Sequence, residues 1–191
     1  MARVIGGTAK RRHLRVPDID GLRPTSDRVR EAIFDILESR GAVEGASVLD
    51  AFAGSGALGI EALSRGAASV CFAEADPRAV AAIRANLDST GFAASPVVRL
   101  VRADVPELLA REPDTHYDLA LVDPPYSFDA WPSLLGLLRA DLAVLETSSP
   151  VVVPGSFLVR REYRYGGTLV TLVEARGPGH DDPSTAEKGP A

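Results

Sequence analysis

Residues 47–56 read Ser47-Val48-Leu49-Asp50-Ala51-Phe52-Ala53-Gly54-Ser55-Gly56, and this stretch decides the fold. Residues 47–50 form a short apolar strand, the glycines predict a tight turn, and residues 57–65 predict a helix that ends before Gly66. A strand, a glycine-rich turn and a helix in direct succession indicate an α/β fold.

The same alternation continues on both sides of this stretch. A helix is predicted at 27–39, with Thr25 or Ser26 as its N-cap, and Asp76 and Pro77 favour the start of another. The remaining predicted elements are strands at 70–75, 97–101 and 117–122 and helices at 77–87, 106–111 and 129–139. Apolar strands joined by helices predict a parallel sheet with helices on both faces.

The sequence of the C-terminal third predicts a change from parallel to antiparallel strands. Residues 157–163 and 168–173 flank Tyr165-Gly166-Gly167, a pattern typical of an antiparallel hairpin. A fifth parallel strand is predicted at either 142–146 or 151–153. Residues 177–191 are rich in glycine, proline and small polar residues, and we expect a disordered tail.

The chain has 191 residues, 46% of them apolar, which indicates one soluble globular domain. Its net charge of −5 combines +5 in residues 1–30 with −10 in the remainder. A basic arm on an acidic body favours nucleic-acid binding, the alternative being a solvated surface. We therefore divide the chain into a basic extension (1–24), a catalytic domain (25–176) and the tail (177–191).

Metal and membrane binding are not expected. Cys71 is the single cysteine, and His13, His116 and His180 have no ligand spacing. The sequence begins without the pattern of a secretory signal and has no apolar stretch near the roughly 20 residues that span a bilayer. We expect a cytoplasmic protein without a metal.

Acidic side chains lie at the ends of three predicted strands. In open α/β sheets, ligands bind at the carboxyl ends of the strands. Asp50, directly before the glycines, suits a cationic amino group better than a pyrophosphate, which favours S-adenosylmethionine over a dinucleotide. Glu74 lies where a ribose diol is bound, and Asp104 is within reach of an adenine amino group. An acid taken singly in such a position is more often a helix cap or a solvated turn residue, but three of them at successive strand ends favour ligand binding.

The fourth strand leads into Asp123-Pro124-Pro125-Tyr126. The prolines remove two backbone donors, so the Asp123 carboxylate and the Pro124 carbonyl can both accept hydrogens of an exocyclic amino group. Tyr126 can stack on a base placed in the pocket. The alternative is a strand exit that prolines merely stiffen.

Together these residues resemble the class I methyltransferases that use S-adenosylmethionine and modify amino groups of bases. The stretches 3–12 and 22–34, which include Leu22-Arg23-Pro24-Thr25-Ser26-Asp27-Arg28-Val29-Arg30-Glu31, narrow the resemblance to the RsmD family. This implies a Rossmann-like, seven-stranded, mostly parallel sheet with a small N-terminal β extension. It also implies methylation of guanine N2 at position 966, in the usual numbering, of bacterial 16S small-subunit rRNA.

The resemblance also implies roles for individual residues. The methionine part of the cofactor would contact Asp50, Phe52, Gly54, Ser55 and Gly56, with Glu74 at the ribose and Asp104 at the adenine. The target guanine would contact Asp123, Pro124, Pro125 and Tyr126. RNA phosphates would contact Arg3, Lys10, Arg11, Arg12 and Arg15. The partner would be small-subunit rRNA or a 30S assembly particle, the product S-adenosylhomocysteine and the enzyme a monomer.

Three other functions remain open from the residues. The Asp-Pro-Pro-Tyr sequence identifies an amino group and not a base, so adenine N6 or another amino group of DNA or RNA is an alternative target. A non-catalytic RNA-binding protein could keep the same fold. An NAD-dependent enzyme is disfavoured by the position of Asp50 before the glycines.

Overall fold

The computed structural model of the protein describes residues 2–19 and 26–177. In chain order the elements are β1 (Ala2–Arg3), β2 (His13–Leu14), α1 (Asp27–Ser39), β3 (Ser47–Ala51), α2 (Ala57–Ser64), β4 (Ser69–Glu74), α3 (Pro77–Thr90), β5 (Val98–Arg102), α4 (Val105–Arg111), β6 (Tyr117–Val122), α5 (Trp131–Leu137), β7 (Ala140–Thr147), β8 (Phe157–Tyr165) and β9 (Thr168–Ala175). Strands and helices therefore alternate from β3 to β7.

Seven strands form one sheet in the order β5-β4-β3-β6-β7-β9-β8. The first five of these are parallel to one another, and β9 pairs antiparallel with both β7 and β8. The order reverses beside β3, because the chain moves outward through β4 and β5 and then returns to β6 on the other side. In open α/β sheets the crevice at such a reversal binds ligands.

The helices pack on both faces of the sheet, and each face has its own apolar core. Helices α1, α2 and α3 cover one face, which we call the first face, with side chains such as Phe34, Ile60 and Ile83. Helices α4 and α5 cover the second face, with Leu108 and Leu134 among its buried residues. The predicted seven-stranded Rossmann-like fold with its C-terminal hairpin is confirmed.

Most predicted bounds agree with the structure within two residues, and α3 differs by more. Helix α3 continues three residues beyond the predicted end, to Thr90, where Gly91 closes it in the left-handed conformation at φ 88°. The predicted helix at 129–139 is shorter, because Ala130 is its N-cap and Leu138 already has an extended backbone. Of the two predicted fifth strands, the one at 142–146 is correct, as part of β7, and residues 151–153 form no strand.

Side chains at the starts of the helices satisfy backbone N–H groups that the helix itself leaves free. Ser26 caps α1 by accepting from the Val29 N–H at 3.3 Å. Asp76 caps α3 in the same way, and Pro77 occupies the first turn, as the sequence predicts. The chain therefore leaves β4 for α3 through a turn with a fixed geometry.

The N-terminal strands β1 and β2 form an antiparallel pair that docks on the domain. Ala2, Val4, Ala9 and Leu14 are buried in the core of the first face. The Glu61 carboxylate of α2 accepts from the Ile5 and Gly6 N–H groups at 2.8 and 2.7 Å. The residues of this extension thus share a core with the domain instead of forming their own.

Two predictions lie largely outside the described residues. The proposed boundary at residues 24 and 25 falls in the gap between 19 and 26, and the proposed disordered tail is described only at Gly177. The division into extension, domain and tail stays a prediction.

Replacing Gly7 by alanine should detach the extension from α2. Gly7 has φ +70°, and an added Cβ would lie 1.7 Å from the Ser64 carbonyl oxygen. Gly6, Thr8 and Ala9 all hydrogen-bond to Ser64. We expect G7A to lower the free energy of unfolding by about 1–2 kcal/mol for the left-handed backbone, and by about 3 kcal/mol more for those bonds at about 1 kcal/mol each. Urea denaturation measures the loss.

The matched control is Gly41→Ala. Gly41 has a similar φ of +64°, but nothing lies within 4 Å of an added Cβ. G41A should therefore show the backbone cost alone. Equal losses in G7A and G41A would contradict the close docking of the extension.

Candidate active site

The glycine-rich turn after β3 adopts a conformation that few side chains tolerate. Phe52, Gly54 and Gly56 all have positive φ, at 59°, 55° and 76°. Gly56 is the N-cap of α2, and its N–H donates to the Ala53 carbonyl oxygen at 2.7 Å. The turn brings backbone to the edge of the sheet, where a ligand can approach it closely.

Asp50 is buried beneath this turn, with 1% of its surface exposed. Its Oδ2 accepts from the Gly59 N–H at 2.8 Å. Burial raises the pKa of Asp50 well above its usual value, the Gly59 hydrogen bond opposes the rise, and the nearby Asp123 and Glu74 carboxylates add to it. A cation bound near Asp50 would favour its charged form.

Gly59 is a residue whose importance the sequence did not reveal. A Cβ at this position would lie 2.3 Å from Phe72 Cε1 and 2.8 Å from Asp50 Oδ2. Only glycine therefore lets α2 pack this closely on β3 and β4. Gly54, Gly56 and Gly59 have the spacing G-x-G-x-x-G, and this was the available signal, since the third glycine of that pattern serves helix–strand packing.

Glu74, at the end of β4, is oriented by two backbone groups. One carboxylate oxygen accepts from the Gly54 N–H and the other from the Asp76 N–H, each at 2.8 Å. A carboxylate has about four lone-pair positions, so both oxygens can still accept from a diol. The bond to Gly54 also fixes the glycine-rich turn against β4.

Asp104 follows β5 and is the N-cap of α4. Its Oδ1 accepts from the Glu107 N–H at 3.2 Å, and the residue is exposed at the edge of the cavity described below. The helix-cap interpretation of Asp104 is therefore correct. Asp104 also lines the cavity, and its carboxylate has acceptor positions beyond the one that the Glu107 N–H uses.

The Asp123-Pro124-Pro125-Tyr126 loop follows β6. Asp123 is half-buried, Pro124 is buried and Tyr126 is 47% exposed. The Pro125 carbonyl oxygen accepts from the Phe128 N–H at 2.8 Å, which folds the loop back on itself. The Phe128 ring packs against Phe52, with ring centroids 5.3 Å apart. The loop is thus held against the glycine-rich turn.

One cavity of about 810 Å³ connects these features. It is lined by the predicted residues Asp50, Phe52, Gly54, Ser55, Glu74, Asp104, Asp123, Pro124, Pro125 and Tyr126. Gly56 does not line it and acts through the backbone of the turn. The volume lies within the range of about 300–1,000 Å³ typical of ligand pockets.

The five predicted RNA-contacting residues lie apart from this cavity, on the N-terminal extension. The side chains of Arg3, Lys10, Arg11, Arg12 and Arg15 are all exposed. The Arg15 backbone is held by the buried Asn86 amide, which accepts from the Arg15 N–H at 2.7 Å and donates to the Arg15 carbonyl oxygen at 2.9 Å. The same amide donates to the Ser55 carbonyl oxygen in the glycine-rich turn at 2.8 Å.

A second residue missed at the sequence level is Arg30 of α1, which is fully buried and lines the cavity. Its Nη2 donates to the Arg3 carbonyl oxygen and to Asp27 Oδ1, and its Nε lies 3.9 Å from Glu61 Oε2. The sequence contained one signal for this burial. Arg30 lies on the same face of α1 as Ile33 and Phe34, and that apolar face packs against the core.

Neither a metal centre nor a membrane-spanning helix occurs in residues 2–19 and 26–177. Within these ranges no three His, Cys, Asp or Glu side chains are grouped so that they could hold a metal ion. In the same part of the chain, no helix has the length and apolar character needed to cross a membrane.

Comparison with known proteins extends over nearly the whole chain. Residues 2–173 match the family model described as Conserved hypothetical protein 95. The chain is 35% identical over 190 residues to ribosomal RNA small subunit methyltransferase D of Escherichia coli K12, covering 94% of this chain and 93% of that protein. It is 31% identical over 173 residues to the protein of the same name from Haemophilus influenzae, covering 86% and 89%.

Solved structures agree with these sequence matches. A hypothetical protein of Thermus thermophilus, TTHA0928, superposes with a TM-score of 0.79 at 32% identity, covering 92% of this chain and 100% of that one. The structure of yhhF from Escherichia coli gives a TM-score of 0.78 at 34% identity, covering 91% and 97%. With its fold, its strand-end residues and these relatives in agreement, the chain belongs to the RsmD family of methyltransferases.

Proposed function

We propose that this protein transfers a methyl group from S-adenosylmethionine to the exocyclic N2 of a guanine in small-subunit rRNA. The observation that carries the proposal is the cavity in which the acidic strand ends meet the Asp123–Tyr126 loop. The relatives named ribosomal RNA small subunit methyltransferase D support the substrate class. The enzyme would act as a cytoplasmic monomer on the rRNA or on a 30S assembly particle.

The cofactor would lie along the ends of β3, β4 and β5. The positive φ values of the turn residues Phe52, Gly54 and Gly56 open the backbone to its methionine part. Glu74 would accept from the ribose hydroxyls and Asp104 from the adenine amino group. The negative field of Asp50, Glu74 and Asp123 suits a ligand that carries a sulfonium cation.

S-adenosylmethionine supplies an electrophilic methyl group, so the protein mainly has to align the acceptor nitrogen with it. The Asp123 carboxylate and the Pro124 carbonyl oxygen would accept the two amino hydrogens of the base. This arrangement directs the nitrogen lone pair, otherwise delocalised into the ring, towards the methyl carbon. Asp123 also stabilises the positive charge that develops on the nitrogen.

The methyl transfer needs no reactant besides the base and S-adenosylmethionine. A nitrogen–carbon bond forms as the carbon–sulfur bond breaks, and S-adenosylhomocysteine leaves as a neutral thioether. The amino group then loses one proton, which passes to Asp123 or to solvent. Tyr126, exposed at the rim of the cavity, would stack on the base.

The identity of the methylated nucleoside tests the proposed function. The purified protein, incubated with small-subunit rRNA or 30S particles and radiolabelled S-adenosylmethionine, should yield N2-methylguanosine on nucleoside analysis. N6-methyladenosine would contradict the guanine target, and tight RNA binding without any incorporation would show a non-catalytic RNA-binding protein.

Removal of the Asp123 carboxylate should abolish turnover and leave cofactor binding intact. We expect D123A to lower kcat by about 10²–10³-fold, the typical effect of losing one group that stabilises charge in the transition state. Calorimetry with S-adenosylhomocysteine measures binding separately. D141A, which removes an exposed carboxylate of β7, is the control. Loss of both turnover and binding in D123A would mean that the loop is only structural.

Replacing Lys10, Arg11 and Arg12 together by alanine should weaken RNA binding and its dependence on salt. Each phosphate interaction that is removed should reduce the slope of log K against log salt concentration by roughly 0.7–0.9, so the slope for the triple variant should fall by about 2–3. Electrophoretic or fluorescence titrations over a salt series measure the slope. The control removes Arg160, Arg161 and Arg164 from β8, and an unchanged slope in the first variant would refute the role of the extension.

A further inference from the structure

The Asp123–Tyr126 loop forms a wall between two cavities. The larger cavity, of about 810 Å³, lies on the side of β3 and β4. A second cavity of about 340 Å³ shares Pro124, Pro125 and Tyr126 with it and extends to the end of β7 and the segment that follows. If the cofactor occupies the larger cavity, the smaller one is open to the other reactant.

Glu146 is the charged residue that β7 contributes to this second cavity. The residue is 7% exposed. Along β7 it follows Val144, which packs in the core of the first face, so alternation places Glu146 on the face that also carries Asp50.

The register of the sheet places Glu146 beside Asp123. Strands β6 and β7 are parallel, and Val122 pairs with Leu145, so the residues that follow, Asp123 and Glu146, lie next to each other. Neighbouring strands are about 4.8 Å apart. Two acidic residues therefore occupy adjacent backbone positions at the loop that would bind the base, and Asp123 is the one that lines the larger cavity.

Two neighbouring acceptors suit the donor edge of a guanine. Its N1–H and its N2 amino group are adjacent donors, whereas adenine carries an acceptor at N1. A carboxylate accepts hydrogen bonds and cannot donate them when ionised. A carboxylate that faces N1 therefore favours the binding of guanine and disfavours the binding of any purine with an unprotonated N1.

We propose that Glu146 is the residue that selects guanine, by accepting from N1–H while Asp123 holds the N2 amino group. The inference rests on the proposed function and deepens it, because the Asp123–Tyr126 loop alone identifies an amino group and not a base. Pro125 and Tyr126 are exposed and line the second cavity, where they provide apolar surfaces for a purine ring.

A base analogue distinguishes the role of Glu146 from that of Asp123. 2-Aminopurine keeps the amino group at C2 but has an acceptor at N1. Small-subunit rRNA is assembled by ligation with either guanine or 2-aminopurine at the nucleotide that the wild-type protein methylates, and kcat/KM is measured for each. The wild-type protein should prefer guanine by roughly 10- to 100-fold, the range for one well-placed base contact.

The variant Glu146→Gln should reduce this preference to roughly threefold or less, because an amide can accept from N1–H or donate to an unprotonated N1. Any contribution from the guanine O6 is the same for both proteins and cancels in the comparison. S-adenosylhomocysteine binding should be unchanged in E146Q. Glu162→Gln, which alters an exposed carboxylate of β8, is the matched control and should keep the full preference.

Two results would overturn the inference alone. One is a wild-type protein that does not distinguish the bases, and the other is an E146Q variant in which kcat/KM falls equally for both while the preference survives. A wild-type protein that methylates no guanine would instead overturn the proposed function, and this inference with it. The D123A variant should lose activity on both bases alike, which distinguishes a group that acts on the amino nitrogen from one that selects the base.

Discussion

The close contact between α2 and the sheet at Gly59 is the constraint on which the site depends. No other residue fits there, because a Cβ would overlap Phe72 and the Asp50 carboxylate. The N-terminal end of α2 carries the glycine-rich turn, and farther along the helix Glu61 and Ser64 hold the extension. A small shift of this helix would therefore move the glycine-rich turn and the basic extension together.

Charge is distributed in this protein according to the ligand that each surface would meet. Under the proposed function, the strand ends would present acidic groups to a cationic methyl donor and to the donor edge of a base, whereas the extension would present basic groups to phosphates. The overall charge of −5 conceals this division, since it adds two regions of opposite sign. Net charge alone is thus a poor guide to nucleic-acid binding when the binding segment is short.

The parts of the structure that local sequence patterns determine were predictable. The turn after β3, the caps Ser26 and Asp76 and the hairpin at Gly166 all depend on neighbouring residues, and all are confirmed. The burial of Arg30, Glu61 and Glu146 was not predicted, because it results from contacts between segments that are distant in the chain. Helix ends were also imprecise, since α3 ends only where Gly91 adopts the left-handed conformation.

The shared core of the extension and the domain has a consequence for how such a protein can evolve. Val4 and Leu14 are buried among side chains of the helices, and Asn86 joins the Arg15 backbone to the turn at Ser55. A segment bound in this way cannot be exchanged for a different module without rebuilding the interior of the domain. Changes of target in this architecture should therefore arise by substitution of surface side chains on an inherited scaffold, and not by recombination of domains.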